Sequence, residues 1–225
     1  MKRTDPDYDF TAEYSRRRSI ESTETYGLRS RTAEIARILQ ALPDGTTILD
    51  LGTADGRMIS ALEERLEKRI FVGLDLDLRL LRMARKSGRD VINANIYSLC
   101  IKDKTIDIAL LCATFKHLAD PENALAEFRR ILKPGGHLIV TDPRPGVVKI
   151  GAVLGYFERK YAQNIWSFES IVPLMAKFDF EIVEKRYFMK LRQLRFFWPI
   201  FRLVNILFGS SLGMGSQVVV LRKQS

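Results

Sequence analysis

Apolar residues recur along this chain with two different periods. Within 29–42 they fall at Ala33, Ile35, Ala36, Ile38, Leu39 and Leu42, the spacing of one helix face. Pro43-Asp-Gly45 stops that helix. A short apolar run at 46–51 then predicts a strand. The alternation continues with a helix at 57–68, a strand at 70–75, a helix at 78–86 closed by Ser87-Gly88, and a short strand at 90–94. The run 106–112 is apolar on nearly every residue, as a parallel strand covered on both faces must be. Asp120 and Pro121 suit the N-cap and first turn of a helix over 121–132. Lys133-Pro-Gly-Gly136 reads as a tight turn, and 137–141 as the fifth strand. Strands and helices in turn predict an α/β fold, doubly wound around a mostly parallel sheet.

After Pro145 the pattern loosens. Residues 147–157 read as an apolar helix, 167–177 as another helix, 178–189 as a long strand and 217–221 as a last strand. Polar residues 1–28, with Tyr8, Phe10, Tyr14 and Tyr26 interleaved, read as an N-terminal arm or lid. The remainder, 29–225, reads as a single domain with apolar insertions at about 145–166 and 190–214.

One corner carries the first chemical signal. In Ile48-Leu-Asp-Leu-Gly-Thr-Ala-Asp-Gly-Arg57 an apolar run passes an acid, turns through two glycines and opens a helix. The next strand ends on a second acid, Asp75. Such a βαβ unit suits an adenosine-type ligand: the turn lets backbone approach it, and a carboxylate at the second strand's tip accepts from ribose hydroxyls. The turn lacks the G-x-G-x-x-G spelling of dinucleotide sites. A strand–turn–helix corner without a ligand is the plain alternative.

Composition narrows the class. The chain has 225 residues, 46% hydrophobic and 28% charged, which fits a folded domain rather than a disordered one. No run reaches the length of a bilayer span, and the first residues lack a signal-peptide core. A cytoplasmic location follows as the expectation, with Cys100 and Cys112 reduced and no metal cluster. The net charge of +9 suits nucleic acid, an anionic membrane surface or an acidic substrate. Because the charges are dispersed over helix faces, nucleic acid is not the favoured partner.

Four motifs together carry a resemblance. They are the corner at Gly52, the acid Asp75, the His117-Leu-Ala-Asp-Pro121 segment after the buried strand, and Arg130-Ile-Leu-Lys-Pro-Gly-Gly136 before the fifth strand. In this order over 46–142 they resemble class I S-adenosylmethionine-dependent methyltransferases of the widespread small-molecule type. The resemblance implies a Rossmann-like seven-stranded sheet in the order 3-2-1-4-5-7-6, with strand 7 antiparallel. It implies S-adenosyl-L-methionine as cofactor. Asp50, Gly52, Thr53, Ala54 and Gly56 would then line the methionine and ribose side, with Asp50 reaching the ammonium. Asp75 would take the ribose hydroxyls, with Leu76 beside the adenine. Asn95 and Ile96 would meet the adenine edge, and Cys112 would lie where the fourth strand passes the sulfonium. Three positions depart from the pattern: Ala54 replaces a glycine, and Ala113 and Lys116 stand where many relatives carry glutamates.

A methyl group on a sulfonium is already activated, so alignment and exclusion of water matter more than a base. His117 and Asp142 are the candidate catalytic residues. For His117 the alternative is helix capping or pocket packing, and for Asp142 it is capping or a pair with Arg144. His137 reads as structural. Cys112 lacks the preceding proline of cysteine-dependent base methylation, since Leu111 stands there. The apolar 191–208 segment carries Arg192, Arg195 and Arg202 among aromatic residues, a pattern that suits a peripheral membrane contact, a lid or a homodimer surface. The expected acceptor is therefore a small or lipid-linked molecule. RNA or protein methylation is the alternative enzyme reading, and a non-catalytic cofactor-binding scaffold is the alternative class.

Overall fold

The computed structural model describes residues 23–153, 166–190, 199–200, 202–203 and 214–224. In chain order its elements are α1 (Thr23–Gln40), β1 (Thr47–Leu51), α2 (Arg57–Glu63), β2 (Ile70–Asp75), α3 (Leu78–Lys86), β3 (Val91–Asn93), β4 (Ile106–Cys112), a 3-10 turn (Phe115–His117), α4 (Pro121–Ile131), β5 (Leu132–Pro143), α5 (Pro145–Val153), α6 (Phe168–Ala176), β6 (Phe180–Lys190) and β7 (Met214–Lys223). The seven strands form one sheet in the order β3-β2-β1-β4-β5-β7-β6. β1 to β5 pair in parallel, whereas β7 runs antiparallel to both β5 and β6. The order and the sense of β7 are those the resemblance implies.

Strand alternation sends successive side chains to opposite faces, and two separate cores result. On one face Leu49, Leu51, Ala109, Leu111, Leu138, Val140, Val219 and Leu221 pack against α4 and α6 through Phe128, Ile131, Ile171 and Met175. On the other, Ile48, Phe71, Ile108, Leu110, Ile139, Val218 and Val220 meet Ile35 and Leu39 of α1 and Ile59 and Leu62 of α2. Ion pairs from Arg37 to Glu184 (2.6 Å) and from Arg186 to Glu34 (3.5 Å) fix α1 over β6.

Several boundaries differ from the sequence pattern. α1 begins at Thr23 rather than 29. α2 ends at Glu63 instead of 68, because the chain turns through Lys68 in the left-handed region (φ 57°) before β2. β3 is shortened to three residues. The Lys133-Pro-Gly-Gly136 segment is not a turn that separates two elements; it lies inside a longer β5. Leu132 already pairs with Ile106, and the register then shifts so that His137 pairs with Ile108. Gly135, at φ 74°, accommodates the extra residues as a bulge. Arg130 of that motif ties the β3–β4 connection, donating to Leu99 O (2.9 Å) and Ile101 O (2.8 Å) while Glu127 accepts from Leu99 N–H (2.7 Å). Its role is architectural.

Candidate cofactor and acceptor site

The strand order reverses between β1 and β4, and in an open α/β sheet the crevice at that point, beyond the carboxyl ends of the strands, is where ligands bind. The Gly52 corner lies there. Leu74 O at the end of β2 accepts both Gly52 N–H (2.7 Å) and Thr53 N–H (3.0 Å), which fastens the turn to the neighbouring strand. Gly52 has φ 82°, and a Cβ on it would come within 2.6 Å of the Thr114 side chain. The turn approaches the loop after β4 so closely that no side chain fits. Ala54, at φ 55°, holds the left-handed conformation a glycine would take without strain.

Asp75 organises the other side of the corner. Its two carboxylate oxygens accept Ala54 N–H and Asp77 N–H, each at 2.9 Å. Each oxygen keeps a lone pair for a further donor. Asn93, unremarked in the sequence, donates from one amide to Asp75 O and Leu76 O (both 3.0 Å) and fixes the loop where Leu76 stands 69% exposed. Asn95 Oδ1 accepts Tyr97 N–H (3.0 Å), and the Tyr97 hydroxyl accepts Ala119 N–H (2.7 Å). The loops after β3 and β4 are thereby joined.

Asp50 is buried on β1, and its Oδ1 has no partner among the described residues. Burial pushes its carboxyl up to about 6; the Thr53 hydroxyl beside it pulls it down, Asp75 adds to the rise and Arg31 opposes it. Arg31, on α1, went unnoticed in the sequence because it sits on the polar side of a helix. Its charge bears on Asp50, Cys112, Lys116 and Asp142. Seven of the ten buried polar side-chain atoms without a partner among the described residues belong to Arg31, Asp50, Thr53, Thr141, Asp142 and Gln217. Such atoms are rare in folded interiors, and their concentration at one sheet edge marks a place built for a polar ligand.

Residues 49–140 match the family model described as a methyltransferase domain. In this segment and in its fold the chain resembles class I S-adenosylmethionine-dependent methyltransferases. Among curated relatives, it is 34% identical to a demethylmenaquinone methyltransferase of Thermus thermophilus over 59% of this chain and 63% of that protein. It is 27% identical to a malonyl-[acyl-carrier protein] O-methyltransferase of Marinomonas sp. over 54% of this chain and 47% of that protein. The chain therefore spans less than two thirds of either relative. A Thermotoga maritima structure described as an S-adenosylmethionine-dependent methyltransferase, possible histamine N-methyltransferase, superposes with a TM-score of 0.65 at 24% identity, covering 96% of each chain.

The charges at the corner are complementary to those of S-adenosylmethionine. S-adenosylmethionine carries an ammonium, a carboxylate and a ribose diol, and Asp50, Arg31 and Asp75 offer one complementary group each. Cys112 ends β4 next to Thr141 of β5. Burial, then the charge of Asp50, pushes its thiol well above the ordinary range, so it is a neutral wall and not a nucleophile. His117 closes the 3-10 turn with an exposed side chain, its N–H donating to Thr114 O (2.9 Å). The helix after it is capped by Asp120, which accepts Asn123 N–H (3.0 Å).

Asp142 is buried near the end of β5, with neither carboxylate oxygen hydrogen-bonded among the described residues. The pairing with Arg144 is not made. Arg144 instead lies over the Tyr187 ring, 4.0 Å from its centroid. Burial pushes Asp142 up to about 6, with the Lys116 and Arg31 charges opposing. His137 pairs within the sheet at the other end of β5, lowered by burial and by Arg222, as a structural residue. No group of metal-binding side chains occurs among the described residues, and none of their helices is long and apolar enough to cross a membrane.

Proposed function

We propose that this protein transfers the methyl group of S-adenosylmethionine to a small or lipid-linked acceptor. The carrying observation is the Gly52 corner, closed to any side chain and flanked by Asp50 and Asp75 with hydrogen-bonding capacity in reserve. In this reading Asp50 holds the methionine ammonium and Arg31 the methionine carboxylate. Asp75 takes the ribose hydroxyls. Leu76, Asn95 and Ile96 border the adenine, and Thr53, Ala54 and Gly56 shape the turn beneath it. The cofactor supplies an electrophilic methyl on sulfur; the protein's work is to hold it against the end of β4 and keep water away.

The acceptor class is supported by the relatives, whose names include quinone and acyl-carrier-protein methylation. Residues 191–208, whose sequence suits a membrane interface, lie mostly outside the described structure. Flotation with anionic liposomes tests that part, and failure of the chain to float would remove the lipid-surface element.

Calorimetric titration with S-adenosylhomocysteine tests the reading as a whole. One ligand per chain is expected, with affinity lost in Asp50→Ala. No heat at millimolar ligand would exclude both the enzyme and the scaffold readings. Binding without methyl transfer to any quinol, acyl-carrier or RNA acceptor would favour the scaffold.

A further inference from the structure

Asp50, Cys112, Asp142 and Gln217 lie at the same sheet edge on four adjacent strands, β1, β4, β5 and β7. Neighbouring strands are about 4.8 Å apart, so Asp142 stands roughly one strand beyond the β4 end and two beyond Asp50. If the sulfur rests over β1 and β4, β5 is where the partner in the reaction must sit. Two polar groups there are buried without a partner among the described residues: both oxygens of Asp142, and Oε1 of Gln217, its register partner on β7. The Gln217 amide nitrogen is spent on Trp166 O, which fixes the carbonyl's orientation. Lys116, half-buried on the turn after β4, bears on Asp142 through its charge and, more weakly, through its backbone N–H, with no hydrogen bond of normal geometry between them.

We propose that Lys116 and Asp142 form the acceptor site and select a molecule with an ionisable hydroxyl, a phenol or an enol, whose oxygen is held between ammonium and carboxylate. The inference rests on the methyl-transfer reading. Charge decides among acceptor classes. A carboxylate or phosphate at this point would confront buried Asp142, and an ammonium would confront Lys116 and Arg31. A neutral hydroxyl meets both partners: it donates to Asp142 and, as it ionises, is stabilised by Lys116.

The step balances within these groups. Asp142 accepts the hydroxyl proton, and the O–H pair stays on the oxygen beside Lys116. That oxygen forms a bond to the methyl carbon while the sulfur retains the pair of the S–C bond that breaks. The proton on Asp142 is later lost to water. Burial raises Asp142 to about 6, so it is ionised near neutral pH yet close enough in basicity to take the proton. The charged and titratable groups that face it are Lys116 from the loop after β4 and Arg31 from α1, and the Cys112 thiol at the end of β4 is raised in part by its charge.

The test uses 4-nitrophenol, whose phenolate is coloured, added to protein saturated with S-adenosylhomocysteine at a pH below the probe's own pKa. Bound probe should ionise about one unit lower than in water, roughly a tenfold gain in phenolate. Lys116→Met should abolish that gain and Lys116→Arg should retain it. In wild type at neutral pH the binding heat should not depend on the buffer's ionisation enthalpy, because Asp142 keeps the proton. Asp142→Asn should release it to the buffer. No induced phenolate in the loaded wild type, or a signal untouched by Lys116→Met, overturns the proposal. Homocysteine-product affinity, measured on every variant, is the separate control: its loss in the wild type would defeat the methyl-transfer reading, whereas its retention without a phenolate signal defeats only this one.

Discussion

The two halves of this site are built to opposite rules. At the β1–β2 corner the backbone is fastened, Leu74 O taking two N–H donors and Asp75 two more, while Asp50 Oδ1 and Thr53 Oγ1 stay open to a ligand. At the β4–β5 edge, Asp142, Thr141 and Gln217 are buried with unmet hydrogen-bonding capacity. The corner is shaped before its ligand arrives, which lowers the ordering cost of binding. The edge holds its charges at a cost in stability that folding alone does not repay, a pattern expected of groups reserved for chemistry.

The sharpest way to break the contrast is to spoil the corner. Gly52→Ala combines a left-handed backbone with a 2.6 Å clash against Thr114. Urea denaturation should show a loss of about 2–4 kcal/mol. Adding Thr114→Ala should return the clash portion and leave the backbone portion. Full stability in the single variant would mean that the approach to Thr114 is loose.

The same method should give the opposite sign at the edge. Asp142 has its folded-state pKa raised from 3.8 to about 6, so its contribution favours the folded state at low pH and is lost as pH rises through that window. Asp142→Asn should therefore stabilise the protein above pH 6 by up to about 3 kcal/mol and make no difference below pH 3.8. A destabilised variant at neutral pH would show that the carboxylate is paired after all.

Asp75→Asn tests the engaged half through ligand binding. An amide cannot accept on both sides at once, so either Ala54 N–H or Asp77 N–H loses its partner. Affinity for S-adenosylhomocysteine should fall by about tenfold or more, read by calorimetry. The smallest effect belongs to Ala54→Gly. Relief of the left-handed strain should raise stability by about 0.5–1 kcal/mol, seen as a higher denaturation midpoint, with cofactor affinity unchanged.

The same division governs what could be read from the sequence. The corner was legible because its parts are contiguous: an acid, two glycines and a helix start, then an apolar run ending on Asp75. The edge was only half legible. Asp142 ends a recognisable strand, but Lys116 was noted only as a departure from a pattern. Arg31 is one of many arginines on a polar helix face. Gln217 is a lone polar residue that opens an apolar strand. These four come from separate elements, and only sheet order brings them together. The Lys133-Pro-Gly-Gly136 segment was misread for a related reason. Its residues have turn chemistry, but pairing of Leu132 with Ile106 keeps them inside the ladder.

The position of β7 has a consequence for biosynthesis. Of the seven strands it leaves the ribosome last, yet it lies between β5 and β6. Until it emerges, β5 offers an open apolar edge, the kind of surface that chaperones bind and that aggregates grow from. Loss of β7 would thus split the sheet. It would also take away Lys223, whose ammonium bonds Arg129 O and Leu132 O (both 2.7 Å) and clasps α4 to the finished product.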